Sequence, residues 1–166
     1  MGLDFSVDFE IYKKLADNDS QEKATPVYTM EVAYWRKAYG IARRFMQEAH
    51  NSSYLLSEDW DFCCNCSCEI LNNLIIILLD NLYYDDSELW TDSIFGAVDT
   101  KRYSIYNLAK LMALKDWLSY RDEDIDSFRL AKYDNDFGPG ISDELYADIL
   151  ANPNKYEFRI SIINSY

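Results

Sequence analysis

Leu3, Phe5, Val7, Phe9 and Ile11 alternate with Asp4, Ser6, Asp8, Glu10 and Tyr12. A period of two predicts a half-buried strand, apolar on one side and largely acidic on the other. The same period returns late in the chain. There Tyr156, Phe158, Ile160 and Ile162 alternate with Lys155, Glu157, Arg159 and Ser161, which predicts a final strand.

Between these ends the spacing turns helical. Val27-Tyr28 after Pro26 reads as a short strand, and Thr29 as the N-cap of a helix over Met30–Ala49. Tyr34, Ala38, Ile41, Phe45 and Ala49 would share one face of it, with Arg36, Lys37, Arg43 and Arg44 mostly off that stripe. From about Ser67, Ile70, Leu71, Leu74, Ile75, Leu78, Leu79 and Leu82 make a helix with a wide apolar face, expected at the buried centre. Ser104 is the expected cap of a further helix carrying Ile105, Leu108, Leu111, Met112, Lys115 and Leu118. Ser142 is the expected cap of a short one over Asp143–Leu150.

The intervening stretches are polar. Asp17 to Lys23 reads as turn, Ser57 to Asp61 as an acidic turn or short helix, and Tyr83 to Asp92 as an acidic, aromatic loop. Asp122 to Gly140 ends in the break Gly138-Pro139-Gly140. Strands at both ends with helices between them predict an α+β fold, mostly helical, with a small antiparallel sheet formed by the terminal strands. No repeat or long linker divides the 166 residues, so one domain spanning 1–166 is expected.

Charge changes this picture. The net charge is −13, and it is unevenly spread. No Lys or Arg occurs between Arg44 and Lys101, while Glu48, Glu58, Asp59, Asp61, Glu69, Asp80, Asp85, Asp86, Glu88, Asp92 and Asp99 fall in that gap. An ordinary surface mixes both signs. A long one-sign segment steers basic partners and repels nucleic acid, although solubility alone also accounts for an acidic chain. Direct nucleic-acid binding is disfavoured, because affinity for phosphate comes mainly from Lys and Arg. Aromatic residues make up 16% of the chain, which argues against the disorder that high net charge otherwise signals.

Gly2 to Glu10 has neither the basic nor the apolar region of a secretory signal, and the longest apolar run is Leu74 to Leu79. The expected location is therefore the cytoplasm, with no membrane partner. Catalytic signatures are missing: there is no Gly-x-Ser-x-Gly, no phosphate-binding glycine loop and no His-Glu-x-x-His. His50, the single histidine, reads as a helix-terminal residue favoured by the helix dipole. Asp122, Asp124 and Asp126 imitate the start of a calcium loop, but Ser127 and Tyr133 occupy the positions that need Gly and Glu. No enzyme activity is expected.

All four cysteines, Cys63, Cys64, Cys66 and Cys68, lie within six residues. Cys63-x-x-Cys66 has metal-ligand spacing, but the second pair that a structural zinc site draws from another segment is missing. Partly buried thiols packing at a helix start are expected, and no cofactor. The alternative is a metal-binding or redox-sensing accessory role for the Cys63–Cys68 cluster, with Asp61 as a neighbouring ligand or a metal shared across a homodimer.

The start Met1-Gly2-Leu3-Asp4-Phe5, the stretch Glu31-Val32-Ala33-Tyr34-Trp35-Arg36-Lys37-Ala38 with Ile41 and Phe45, and the later Ser93-Ile94-Phe95-Gly96 are distinctive. They resemble a group of small phage and prophage proteins that open with a Met-Gly-Leu-Asp strand and carry a Tyr-Trp-Arg-Lys-Ala helix. The likeness covers about the first two-thirds of the chain. Ala42 stands where members of the group often have His, and the cysteine cluster and the segment beyond Tyr120 depart from the pattern. The resemblance implies phage origin and, since the group has no assigned activity, no chemistry.

Acidity and resemblance together lead to one expectation. The chain acts by protein–protein contact as an inhibitor of a basic, nucleic-acid-handling host protein, of the anti-CRISPR or anti-restriction type, by mimicry of DNA phosphates. The expected contact residues are Glu58, Asp59, Trp60, Asp61, Asp85, Asp86, Glu88, Trp90, Asp92 and Asp99, with Tyr83 and Tyr84 as further aromatic anchors.

Overall fold

The apolar side of the first strand decides the architecture. In the computed structural model, which describes residues 4–14, 25–36, 41, 44, 45, 47, 54–56, 62–84, 96–123 and 140–165, β1 runs over Asp4–Lys13. Phe5, Val7, Phe9 and Ile11 are all buried. β5, Tyr156–Ser165, lies antiparallel along the whole of it, from Asp4 opposite Ser165 to Lys13 opposite Tyr156. The expected α+β fold is thus present, with the terminal strands paired in one antiparallel sheet.

That sheet is larger than the alternation at the chain ends predicts. It has five strands in the order β2-β1-β5-β4-β3, where β2 is Tyr28–Arg36, β3 is Tyr54–Leu56 and β4 is Phe62–Asn65. The expected helix over Met30–Ala49 is corrected here. Its first part, with the Tyr-Trp-Arg run, is a strand paired to β1, and Thr29 is a strand residue rather than a cap. Tyr28, Thr29, Val32, Tyr34 and Trp35 are residue types that suit a pleated, half-buried surface, and β1 offers an open ladder beside them. Val7 faces Ala33 and Asp8 faces Glu31, so Val32 is the extra residue of a bulge and is itself buried. Further on, Ile41, Arg44, Phe45 and Gln47 are helical, and Ile41 and Phe45 are buried as the helical spacing requires.

Three helices have both ends among the described residues, and they hold more of the chain than the strands do. α1 is Cys68–Tyr84, α2 is Gly96–Glu123 and α3 is Asp143–Ala151. Ser67 accepts from the Ile70 N–H at 3.2 Å at the start of α1. Ser142 caps α3 as expected, its hydroxyl accepting from the Leu145 N–H at 3.3 Å. Ser104 is not at a helix start: α2 begins at Gly96, so Ser104 lies inside it. Nor is α1 buried all round. Ile76 and Leu79 are 45% and 46% exposed, because the core lies on one side of the helix only.

The core forms between the apolar side of the sheet and the helices. Trp117 of α2 stacks on Phe158 of β5, centroids 5.7 Å apart, and Trp35 of β2 stacks on Phe5 of β1 at 5.2 Å. Phe45 meets both Phe5 and Trp35 edge-on. Tyr156, at the start of β5, and Asn152 both donate to the Asp148 carboxylate of α3, joining that helix to the sheet. Among the described residues no helix is long and apolar enough to cross a membrane. The turns expected over Asp17–Lys23 and Ser57–Asp61, the loop beyond Tyr84 and the stretch from Asp124 to Pro139 lie outside the described residues.

Candidate functional site

The side of the sheet opposite the core gathers the polar members of four strands. Residues directly opposite one another in a sheet share a face. One transverse row therefore holds Cys63, Ser161, Asp8 and Glu31, and the next holds Asn65, Arg159, Glu10 and Thr29. Tyr12 and Glu157 form a third row beyond these. Alternation in β1 and β5 puts these side chains together for the same reason that it buries Phe9 and Ile160.

Glu10 is the centre of the arrangement and is only 8% exposed. Its Oε2 accepts from the Tyr12 hydroxyl at 2.7 Å and from the Ser161 hydroxyl at 2.8 Å. A buried carboxylate needs such donors to hold its charge away from water. Burial, and then the hydrogen bond to Glu10, push the Tyr12 hydroxyl well above the ordinary tyrosine range. Arg159 is the one base described on this part of the face. Its guanidinium lies 4.3 Å from the centre of the Tyr12 ring and pairs with Glu157 at 3.0 Å.

Asp8 has no such compensation. Its Oδ1 is buried without a hydrogen-bond partner. Burial pushes its carboxyl up to about 6, with Glu31 opposite and Glu10 two residues along adding like-charge repulsion. Asp8, Glu10 and Glu31 thus make an acidic group on two adjacent strands.

The four cysteines are divided by the same alternation. Cys63 lies on the polar side, where burial pushes its thiol up against the opposing pull of Ser161 and Arg159. Cys64 points into the core, and burial pushes it up to about 11. Cys66 is also buried, and Cys68 opens α1 with its thiol 3.9 Å from the Lys115 carbonyl. The expected packing at a helix start therefore describes Cys66 and Cys68, since Cys63 and Cys64 belong to β4. All four are free thiols, and among the described residues no three His, Cys, Asp or Glu side chains are grouped to hold a metal ion.

Of the contact residues expected from the charge gap, Glu58, Asp59, Trp60, Asp61, Asp85, Asp86, Glu88, Trp90 and Asp92 lie outside the described residues. Asp99 lies in the first turns of α2, and Tyr83 and Tyr84 end α1 rather than belonging to a loop. The acidic group of Asp8, Glu10 and Glu31 lies outside the base-free gap and is not among the contact residues expected from it. Its signal was the alternation in β1 that sets Asp4, Asp8 and Glu10 on one side. Glu31 joins them only through the pairing of β2 with β1. In comparisons with known proteins, no family model, no curated protein and no solved structure matches this chain.

Proposed function

We propose that this chain is an acidic inhibitor of phage origin that binds a basic, nucleic-acid-handling host protein in the host cytoplasm. A CRISPR effector or restriction enzyme is the kind of target meant. The observation that carries this reading is the pairing of Asp8 with Glu31 across β1 and β2, beside Glu10. Like charges directly opposite in a sheet are destabilising. The cost turns to gain when a lysine or arginine of a partner docks among them, as it would on a phosphate. The base-free run from Phe45 to Thr100 extends the negative field, and the phage origin rests on the sequence resemblance.

The test is a tagged pull-down from bacterial lysates containing CRISPR and restriction systems, eluted along a salt gradient. Wild type should retain a basic nuclease that is released as salt rises and displaced by added DNA. The double variant Asp8→Asn/Glu31→Gln should release it at lower salt. A nuclease held by both proteins to the same salt concentration would rule out this sheet face. If neutralising the acids from Glu58 to Asp99 also left inhibition unchanged, phosphate mimicry would be wrong. A salt-resistant complex would instead point to an apolar surface, such as the exposed Ile76, Leu79, Ile105 and Met112 of α1 and α2.

A further inference from the structure

Asp8 and Glu31 face each other directly across β1 and β2, and Glu10 follows two residues along the same strand as Asp8. The three carboxylates share one patch but not one environment. Glu10 holds the hydroxyl hydrogens of both Tyr12 and Ser161. Ser161 is the residue opposite Asp8, yet its hydroxyl is turned to Glu10, and Asp8 Oδ1 is left buried without a hydrogen-bond partner. Among the described residues, Glu31 faces Asp8 from β2, while Ser161 of β5 and Cys63 of β4 continue its row. Arg159 of β5 lies one row further on, and its guanidinium is held by Glu157 and by the Tyr12 ring. From α2 the Lys110 ammonium reaches the Glu31 carbonyl at 3.3 Å. Burial, then Glu31, then Glu10 push the Asp8 carboxyl up to about 6. Two carboxylates in one site do not both ionise freely, so one of them retains its proton, and a cation set against them favours the charged form of both.

We infer that docking of the basic partner on this face is proton-linked: at mildly acidic pH the free face holds a proton at the Asp8–Glu31 pair, and an incoming lysine or arginine displaces it to solvent. The inference rests on the reading of this face as the partner's docking site and names what regulates it. The Asp8 carboxyl gives its proton to the buffer, and its carboxylate then pairs with the partner's cation. Such coupling is reciprocal, so the proton weakens the cation as much as the cation weakens the proton. Return of Asp8 from about 6 to its ordinary 3.8 on docking makes the complex about tenfold weaker at pH 5 than at pH 7. A histidine on the partner would gain charge over the same interval and give the opposite trend, so the linkage selects a partner that docks with lysine or arginine.

The probe is an oligolysine peptide at fixed ionic strength. Carbon-detected NMR follows the Asp8 carboxyl of the full chain with and without the peptide, and titration calorimetry gives the affinity at pH 7 and pH 5. The Asp8 titration midpoint should fall by at least about one pH unit when the peptide is bound. Wild type should lose about tenfold more affinity between pH 7 and pH 5 than Asp8→Asn does. That comparison cancels the protonation of His50 and of the other carboxylates, which both proteins share. The inference is overturned by an Asp8 midpoint that the peptide leaves unmoved, or by equal pH dependence in wild type and Asp8→Asn. The inhibitor reading fails separately, when the lysate pull-down retains no nuclease, and a linkage measured with the peptide survives that result. A nuclease held equally well at pH 5 and pH 7 would overturn the linkage and leave the inhibitor reading standing.

Discussion

The ring of Phe9 meets that of Trp117 edge to face, centroids 5.9 Å apart at 81°, and so ties the middle of β1 to α2. Phe9 also meets Phe158 of β5 at 5.5 Å and Tyr28 of β2 at 6.4 Å. One side chain thereby joins three strands and a helix. Phe9→Ala removes these contacts and leaves a cavity, at a cost of about 3–5 kcal/mol. That is a large part of the about 5–15 kcal/mol by which such domains are stable. Urea denaturation should show the loss as a lower midpoint. A loss under about 1 kcal/mol would mean that Phe9 is not central to the core.

Asp8 gives the protein a pH dependence of definite sign. Its carboxyl is held up at about 6 in the folded state, above its ordinary value of 3.8. The folded chain therefore keeps a proton that the unfolded chain has released, and Asp8 makes stability fall as pH rises from about 4 to about 6. Asp8→Asn should stabilise the protein at neutral pH by about 1 kcal/mol, allowing for screening of a half-exposed group. The gain should vanish below about pH 4, where both states are protonated. Urea midpoints of the two proteins measured between pH 4 and 7 check this. The same variant should bind the basic partner less well, so that stability and binding move in opposite directions.

Asn107→Ala strips Tyr34, on the outer edge of β2, of the side-chain amide that bonds both its N–H, at 3.2 Å, and its carbonyl, at 2.7 Å. The variant should lose about 2–3 kcal/mol. Denaturation at low micromolar concentration reads this, and the Tyr34 amide should exchange faster than in wild type. An unchanged exchange rate would mean that something other than Asn107 protects it.

The thiols should separate by reactivity. A neutral aromatic disulfide reagent at mild alkaline pH should label the half-buried Cys63 and Cys68 first. Cys64, held up at about 11 by burial, and the buried Cys66 should react only on unfolding. Mass spectrometry of digests gives the order. Labelling of Cys64 as fast as Cys63 would contradict their assignment to opposite sides of β4.

Much of this fold is written in local pattern. β1, α1, α3 and β5 follow from apolar spacing and from Ser142, and the pairing of β1 with β5 follows from their being the two clearest strands. β4 is different: Phe62 to Asn65 is too short for periodicity to distinguish it, and the adjacent cysteines draw attention to metals. Over Met30–Ala49 the positions Tyr34, Ala38, Ile41 and Phe45 satisfy a helix while Met30, Ala33 and Trp35 suit a strand with one bulge. A non-local partner, β1, settles that contest, and no window of sequence contains it.

The candidate site divides in the same way. By itself the sequence determined that Asp8 and Glu10 share a side of one strand and that Arg159 and Ser161 share a side of another, because alternation is a property of each strand alone. The tertiary structure decided that Glu31 faces Asp8, that Ser161 reaches Glu10, that Cys63 and Cys64 part to opposite sides of the sheet, and that Asn107 closes the edge at Tyr34. Each of these depends on register between segments far apart in the chain, and register is fixed by burying one complete apolar face rather than by any local preference.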